Sequence, residues 1–365
     1  MATQYRYLLA DVLTNQILAE LSLTNVNFTQ QLNAAGTFTG DLLLSGVNSA
    51  GLNVLNSTIP GRCAIYVDRS GVLVWGGIIW QREYDSANQH IKITAREFES
   101  YFERRRITTT QSFSNVDQLS IVDQLVQAAQ SVTYGNIGVV VPATTSGVTV
   151  SQVYYGYELK SYFNAISDLA KANNGFDFNI SVSYDGDRNP VKTLQLGYPR
   201  LGNVYSSTSA TVPTFILPAG NIVQYNYKED GTKAVNSVYA TGAGSNEGKL
   251  ISNSQDSTKF AAGWPLLEDS SNYSNITDAT FLSGLATGQV TAASYPPQTL
   301  QIVAPPYLDP VYGSYNLGDQ ARVVISDPFY PTEFDGNYRI IGLNVSPGEN
   351  NQPERVTLTL TTTTN

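Results

Sequence analysis

Apolar and polar residues alternate with a period of two at both ends of this chain, and a helical period appears only in between. The clearest stretch is Gly71 to Ile107. Val72 to Tyr84 is β-branched and aromatic, with Trp75 and Trp80, and predicts a strand. The polar segment Asp85 to Gln89 predicts a turn. His90 to Thr94 then predicts the returning strand, with Ile91 and Ile93 on one face and His90, Lys92 and Thr94 on the other. From Ala95 the period changes: Phe98, Tyr101 and Phe102 recur at helical spacing. Arg104, Arg105 and Arg106 fall in the last turn, where cations complement the negative end of the helix dipole.

Upstream, Tyr5 to Val12, Ile17 to Leu23, Phe28 to Leu32, Thr37 to Leu44 and Arg62 to Val67 predict strands separated by Gly, Asn and Pro. That spacing fits a barrel or a sandwich. The middle predicts a small α+β domain. Its first helix runs from Asn115 to Gln130, with Leu119, Val122, Leu125, Val126 and Ala129 inward, and Asn115 as N-cap with Gln118 as partner. Its second runs from Glu158 to Asn173, with Leu159, Phe163, Ile166, Leu169 and Ala170 inward and Gly175 as stop. Phe176, Phe178, Ile180, Val182 and Tyr184 alternate, Asp185 to Pro190 turns, and Val191 to Leu196 returns.

A Ser/Thr-rich linker, Leu201 to Thr214, follows. The strands Asn221 to Tyr227 and Ala234 to Thr241 lead into a polar excursion, Gly242 to Asn275, that holds Trp264. A short helix capped by Thr277 carries Phe281, Leu282 and Leu285, weakened by Gly284 and Gly288. The strands Gln298 to Val303, Asp319 to Ile325, Tyr338 to Val345 and Arg355 to Thr361 close the chain. The expected class is mainly β with an α+β insertion, two similar β-barrels flanking a small α+β domain. The expected domains are residues 1–107 (first barrel), 108–215 (α+β middle with linker) and 216–365 (second barrel, with the polar loop and short helix inserted at 242–294).

Composition narrows the function. Charged residues are 14% of the chain, low against a typical ~25%, and 23 tyrosines with Thr, Ser, Asn and Gln fill the deficit. Such a surface suits β-rich structural proteins that meet other subunits better than a freely soluble enzyme. The net charge of −9 argues against a nucleic-acid-binding face, which needs clustered Lys and Arg. Cys63 is the single cysteine, so neither an intrachain disulfide nor a thiolate zinc site is possible. The start, MATQYRYLLADV, lacks the basic and apolar regions of a secretory signal, and no run approaches the ~18 apolar residues of a membrane helix, so synthesis and folding in a cytoplasm are expected.

Candidate chemistry is sparse. His90 is the only histidine and lies on the outward phase of its strand, so a nucleophile–histidine arrangement has no better candidate. Asp185, Asp187 and Asn189 imitate a calcium loop, but Pro190 stands where that loop needs Gly and Leu196 where it needs Glu. Glu97, Glu99 and Glu103 are expected on the exposed side of a helix, with no cleft for glycosidase work. Gly242-Ala-Gly-Ser-Asn precedes no helix that could make a phosphate cradle. The Asn-x-Ser/Thr sites at Asn56 and Asn275 matter only in a secreted chain. No catalytic residue, cofactor or metal is therefore expected. Trp264, between Gly263 and Pro265, either pins its loop or anchors an interface; with Arg104, Arg105 and Arg106 it forms the candidate interface set.

The two β regions echo one another in order. Pro60-Gly-Arg-Cys-Ala-Ile-Tyr-Val67, Trp75-Gly-Gly-Ile-Ile79 and Ile91-Lys-Ile-Thr94 have counterparts in Leu317-Gly-Asp-Gln-Ala-Arg-Val-Val-Ile325, Asn337-Tyr-Arg-Ile-Ile-Gly-Leu-Asn-Val345 and Val356-Thr-Leu-Thr359. The match is of pattern, not identity. Val74-Trp-Gly-Gly-Ile-Ile79, Ile91-Lys-Ile-Thr-Ala-Arg96 and the Arg104–Ile107 helix end, with Asn316–Ile325, Tyr338–Val345 and Glu354–Leu360, give a layout that resembles the central tail hub or minor tail protein of tailed bacteriophages. The likeness covers nearly the whole chain, and its specificity lies in the order of generic β motifs. It implies a homotrimer whose two barrels per chain form a pseudo-sixfold ring at the virion tail tip, adapting tube to tip. The implied partners are the distal tail or tube protein, tip or fibre proteins and the tape-measure protein, with DNA only in transit. Fibre or lytic domains of longer relatives would sit elsewhere, because this chain stops at Asn365 after its last strand. A receptor- or carbohydrate-binding tail component is the alternative; an outer-membrane porin and an enzyme fit less well.

Overall fold

The structure, a computed structural model, describes residues 3–44, 57–205, 212–293, 298–349 and 352–362. Asn56, residues 206–211 of the linker and the end at Asn365 lie outside the described residues. The N-terminal region supplies β1 (Tyr5–Asp11), β2 (Ile17–Leu21), β3 (Leu23–Gln31), β4 (Thr37–Leu43), β5 (Cys63–Arg69), β6 (Val72–Asp85) and β7 (His90–Glu97). Next come α1 (Glu99–Arg104), β8 (Gln111–Asp117), α2 (Gln118–Ser131), β9 (Val139–Val140), β10 (Thr149–Tyr154), α3 (Tyr162–Lys171), β11 (Asp177–Tyr184) and β12 (Pro190–Gly197). After the linker stand β13 (Thr214–Leu217), β14 (Gln224–Glu229), β15 (Ser237–Thr241), β16 (Ile251–Gln255), α4 (Ser257–Ala261), β17 (Glu268–Asn272) and α5 (Ala279–Ala293). The last strands are β18 (Gln298–Ala304), β19 (Gln320–Ile325), β20 (Phe334–Ser346) and β21 (Arg355–Thr362).

The chain is mainly β, as its alternation predicts. Closed barrels are not what the described residues form. Strands of both ends join in one 13-stranded sheet, β14-β18-β21-β20-β3-β4-β7-β6-β5-β1-β2, with β19 on β20 and β13 on β19. The joint is β20, which pairs with β19 along its first half and with β3 along its second. This splice gives the neighbouring half an edge that closure of either half would need, and among the described residues β2, β13 and β14 are left with one partner each.

The sequence echo is a structural one. The path β3-β4-β7-β6-β5 has the same order and antiparallel pairing as β14-β18-β21-β20-β19, and the echo ends there, since β1 lies antiparallel to β5 but β13 lies parallel to β19. Each middle strand carries a bulge at its paired isoleucines, between Ile79 and Gln81 in β6 and between Ile340 and Gly342 in β20. A bulge inserts one unpaired residue and bends the strand, so the two bulges fix the register between the copies. Ile79 corresponds to Ile340 and Gln81 to Gly342.

Three apolar cores follow. The largest takes inward residues from both regions, including Phe28, Phe38, Trp75, Ile79, Ile302, Ile340 and Leu358. Trp75 is fully buried, 5.3 Å from the Phe38 ring, and its indole N–H donates to Thr29 O at 2.9 Å. A second core lies between the opposite face of β1, β5 and β6 and the middle layer, through Leu8, Tyr66, Ile78, Phe98, Leu125, Ile166 and Phe178. A third, small core holds Val238, Ala240, Ile276, Leu282 and Leu285.

Several local expectations change. Asn115 does not cap α2: it sits in the irregular β8–β10 pairing with φ 53°, and Asp117 caps the helix by accepting from Leu119 N at 2.9 Å. The second middle helix begins at Tyr162, capped by Ser161, instead of at Glu158, whose segment makes a separate 3-10 turn. The polar excursion 242–275 is structured: β16 pairs antiparallel and β17 parallel to β15. Its strands, ISNSQ and EDSSN, are largely small and polar, so hydrophobic periodicity could not reveal them. Helix α5 is longer than predicted, and Asp278, accepting from Phe281 N at 2.7 Å, fills the role expected of Thr277. One of its glycines, Gly288, permits close packing. Gly284 O accepts from Asn173 N at 3.0 Å, and a Cβ on Gly288 would stand 2.3 Å from Lys171 O.

Candidate assembly edges

The residues singled out for chemistry disperse into structural roles. Asp185 Oδ1 accepts from Asp187 N and Asn189 N at 2.9 and 2.8 Å, closing the β11–β12 turn. His90 Nε2 stands 3.8 Å from Asp41 Oδ1 on the neighbouring strand. Gly242 and Ala243 are bonded into the small sheet through Leu250 O and Ile276 O. Among the described residues no three His, Cys, Asp or Glu side chains are grouped to hold a metal, and no helix is long and apolar enough to cross a membrane.

Glu97 and Glu99 are not on an exposed helix face. Strand β7 continues to Glu97, so the helix starts late and turns both carboxyls inward, with 1% and 2% of their surfaces exposed. Glu97 Oε2 accepts from Gly36 N at 2.6 Å, and Glu99 Oε1 from Ile180 N at 2.5 Å. Burial first, then the neighbouring Glu99 charge, holds Glu97 well above the usual carboxylate range; burial raises Glu99 to about 7. Glu103 pairs with Arg96 through two bonds at 2.6 and 2.8 Å.

The arginine run divides. Arg104 is exposed and lies over the Trp80 ring at 5.8 Å. Arg105 lies over Tyr101 at 5.7 Å, and its carbonyl accepts from Tyr162 N at 3.2 Å, joining α1 to α3. Arg106 donates back to Glu103 O at 2.7 Å. Trp264 is held in its own loop, with Lys259 Nζ 4.7 Å from its ring centre and the Trp264 backbone N–H donating to Lys259 O at 3.0 Å.

What the fold leaves exposed is backbone edge. An unpaired edge presents a row of N–H and C=O groups that another strand can satisfy. Among the described residues the outer edge of β14 is one such row; beside it Phe329, Tyr227 and Tyr330 pack at 4.8 to 6.5 Å between ring centres. A second is the end of β6, while β2 and β13 also keep one partner each among the described residues. Strand β5 accompanies β6 only from Val72 to Ile78, so beyond the bulge the residues Gln81 to Asp85 pair with β7 alone among the described residues. Tyr84 there is 56% exposed.

The echo makes these two edges counterparts of a joint already filled. In β20, Leu343, Asn344 and Val345 face Gln30, Thr29 and Phe28 of β3. The shared bulge equates Leu343, Asn344 and Val345 with Arg82, Glu83 and Tyr84. Following the ladders through β4–β7 and β18–β21 equates Phe28, Thr29 and Gln30 with Tyr227, Lys228 and Glu229 of β14. These edge residues carry no motif, and only the echo, followed strand by strand, could have found them in the sequence.

No family model matches the sequence, and no curated protein matches it. Among solved structures, the chain is similar to a tail protein from Neisseria meningitidis, at 12% identity and a TM-score of 0.63, over 99% of this chain and 97% of that one. It is similar to a 43 kDa tail protein of prophage MuSo2 from Shewanella oneidensis, at 16% identity and a TM-score of 0.59, over 98% of both chains. A third likeness, at 11% identity and a TM-score of 0.50, is to an E. coli component of the type VI secretion system described as similar to T4 bacteriophage tail proteins gp27 and gp5; it covers 100% of this chain and 75% of that one. Over nearly its whole length, this chain has the fold of phage tail proteins.

Proposed function

We propose that the chain is a structural component of a phage tail that assembles as a homotrimer, a pseudo-sixfold hub at the tail tip between tube and tip proteins. The observation that carries this is the filled β20–β3 joint beside its unfilled counterpart, the ends of β6 and β14. Within one chain β20 and β3 join the two halves. Between chains, β14 of one copy completes the sheet along Gln81–Asp85 of the next in the same register. Tyr84 then meets Tyr227, Glu83 meets Lys228 and Arg82 meets Glu229, so both charged pairs are of opposite sign. A contact between different surfaces generates a ring when its rotation closes; three copies with two halves each give six similar units and satisfy both edges. The net charge of −9 would keep the phosphates of passing DNA and the tape-measure protein from sticking to the lumen.

The test is solution mass together with a charge swap. A trimer is expected for the native chain, Glu83→Lys should dissociate it, and adding Lys228→Glu should restore it. In Tyr84→Cys/Tyr227→Cys, oxidation should link copies into closed trimers. A native chain that stays monomeric at high concentration, or a double cysteine variant that never links between copies, overturns the proposal. The second reading, a receptor- or carbohydrate-binding tail component, rests on Phe329, 62% exposed beside Tyr227 and Tyr330. Binding of the monomeric Glu83→Lys variant to host cell walls would favour it.

A further inference from the structure

Lys160, Asp168 and Asn275 meet where the small sheet and α5 dock on the middle layer. Lys160 precedes α3, Asp168 lies on α3, and Asn275 lies between β17 and α5. Lys160 Nζ is 2.5 Å from Asp168 Oδ2 and 3.2 Å from Asn275 Oδ1. Asn275 is 5% exposed, and the Lys160 and Asp168 side chains are each 16% exposed. Tyr154 and Tyr273 stand near the Asp168 carboxylate: burial first, and its charge second, hold both phenols above their ordinary range.

A plain ion pair with an auxiliary hydrogen bond would leave each polar atom of Asn275 served. It does not. Asn275 Nδ2 is buried with no hydrogen-bond partner, which costs desolvation that native structures avoid. Turning the amide over would aim its two N–H groups at an ammonium that can only donate, so the orientation with Oδ1 toward Lys160 is the one the site imposes. The result is an amine, a carboxylate in contact with it, and an amide carbonyl polarised by that amine, with its nitrogen held by nothing.

We propose that this triad is a self-modification site in which Lys160 becomes joined to Asn275 by an intramolecular amide bond. Asp168 takes a proton from the Lys160 ammonium, and the freed Nζ lone pair attacks Asn275 Cγ. Through its carboxyl, Asp168 relays a further proton from Nζ to Nδ2. The Cγ–Nδ2 bond breaks, the new Nζ–Cγ bond remains, and ammonia leaves, taking up the last proton as ammonium while Asp168 returns to carboxylate. Nothing is oxidised or reduced, and no co-reactant is needed. Positioning the groups supplies the effective concentration that makes such a slow reaction feasible, and Asp168 is the general base and acid. The product ties the 234–293 segment covalently to the residues that lead into α3, the helix whose Lys171 O the α5 glycine Gly288 already approaches.

The experiment is the intact mass of the purified full-length chain under denaturing conditions, with peptide mapping. The native chain should be one ammonia lighter than its sequence mass, with the Lys160 peptide joined to the Asn275 peptide. Lys160→Arg, Asn275→Ala and Asp168→Ala should run at full mass, each checked for native folding by circular dichroism. Asn275→Asp should be one water lighter, because water replaces ammonia as the group that leaves. A native chain still at full mass after long incubation at neutral pH overturns the proposal. So does a loss of ammonia that maps elsewhere, such as to a succinimide at Asn174–Gly175, or one that persists in Asp168→Ala.

Discussion

The meander β5-β6-β7 and its counterpart β19-β20-β21 share a frame and differ on one face. Toward the common core their residues match in kind: Ile65 with Ala321, Val67 with Val323, Ile79 with Ile340. On the other face Ala64, Tyr66 and Ile78 correspond to Gln320, Arg322 and Arg339. The first three are buried under the helical layer, where apolar burial contributes about 25 cal/mol per Å². The polar set could enter such a layer only with every group partnered. Arg322 instead stays outside with Asp335, and Arg339 reaches Asp177, Leu201 O and Gly318 O. A few side chains on a repeated frame thus decide which half carries the middle layer and which half merely touches it. The inner faces differ too, by a shift of bulk. Trp75 lies two positions before Gly77 in β6, whereas Gly336 lies two positions before Tyr338 in β20. The strand opposite compensates, with Ile65 facing Gly77 and Ala321 facing Tyr338.

The largest expected effect is on the side where bulk comes from Trp75. Trp75→Ala removes a fully buried ring and leaves Thr29 O without its donor, so unfolding in urea should show a loss of about 4 kcal/mol. Survival with less than about 1 kcal/mol lost would mean that the two inner faces are not packed as alternatives. Next is the outer face. Arg339→Ile installs the residue type of β6 at its matching position but leaves Asp177, 9% exposed, without its cation. A loss of about 3 kcal/mol is expected, as for other part-buried pairs broken on one side. Adding Asp177→Asn should recover much of it; no recovery would show that Arg339 matters for its carbonyl bonds instead.

The frame could be read in the sequence because each copy spells it with strong β formers. Val72 to Tyr84, His90 to Thr94 and Tyr338 to Val345 alternate or carry paired isoleucines, and the strands fall there. The splice could not be read: nothing in Leu343, Asn344 or Val345 says that β3, hundreds of residues earlier in the chain, is their partner rather than a strand of their own half. Register between distant strands depends on which edges remain free, and that is decided only once the whole sheet exists. The candidate residues met the same limit. Arg105 and Arg106 were conspicuous as charge but serve α1, whereas Arg82, Glu83 and Lys228 look like ordinary strand residues until the echo is followed. In the small sheet β15 is legible through Val238 and Ala240, whereas β16 and β17 are silent because they bury little.

A third difference lies at the strand ends. Strand β7 runs into α1 through Glu97 and Glu99, at the place where β21 ends with the exposed Thr362. Burial raises Glu99 to about 7 from an ordinary value of 4.5, so the folded chain binds this proton more tightly than the unfolded one. The contribution is therefore fully present below about pH 4.5 and is lost as pH rises toward about 7. Each tenfold gain in proton affinity is worth about 1.4 kcal/mol, which makes the fall about 3 kcal/mol. Glu99→Gln should flatten the stability profile in that window when melts of the two chains are compared across pH. Parallel profiles for the two would break the contrast between the strand ends.

The smallest effect is the most discriminating, because it uses the same substitution in both copies. A Cβ on Gly77 would stand 2.2 Å from Arg96 O and 2.5 Å from the Trp75 ring. The carbonyl belongs to the β6–β7 ladder and cannot retreat without breaking pairing, so Gly77→Ala should destabilise by about 1–2 kcal/mol. The nearest atoms to a Cβ on Gly336 would all be of the Phe334 ring, at 2.5 Å and beyond. A ring tip can swing, and alanine has less backbone freedom to lose than glycine, so Gly336→Ala should stay within about 0.5 kcal/mol. If bulk has simply been exchanged between equivalent strands, the two variants must separate in this order in chemical denaturation. Equal losses would mean that Gly336 is held as tightly as Gly77, and that the second copy fills its interior by some means other than the displaced tyrosine.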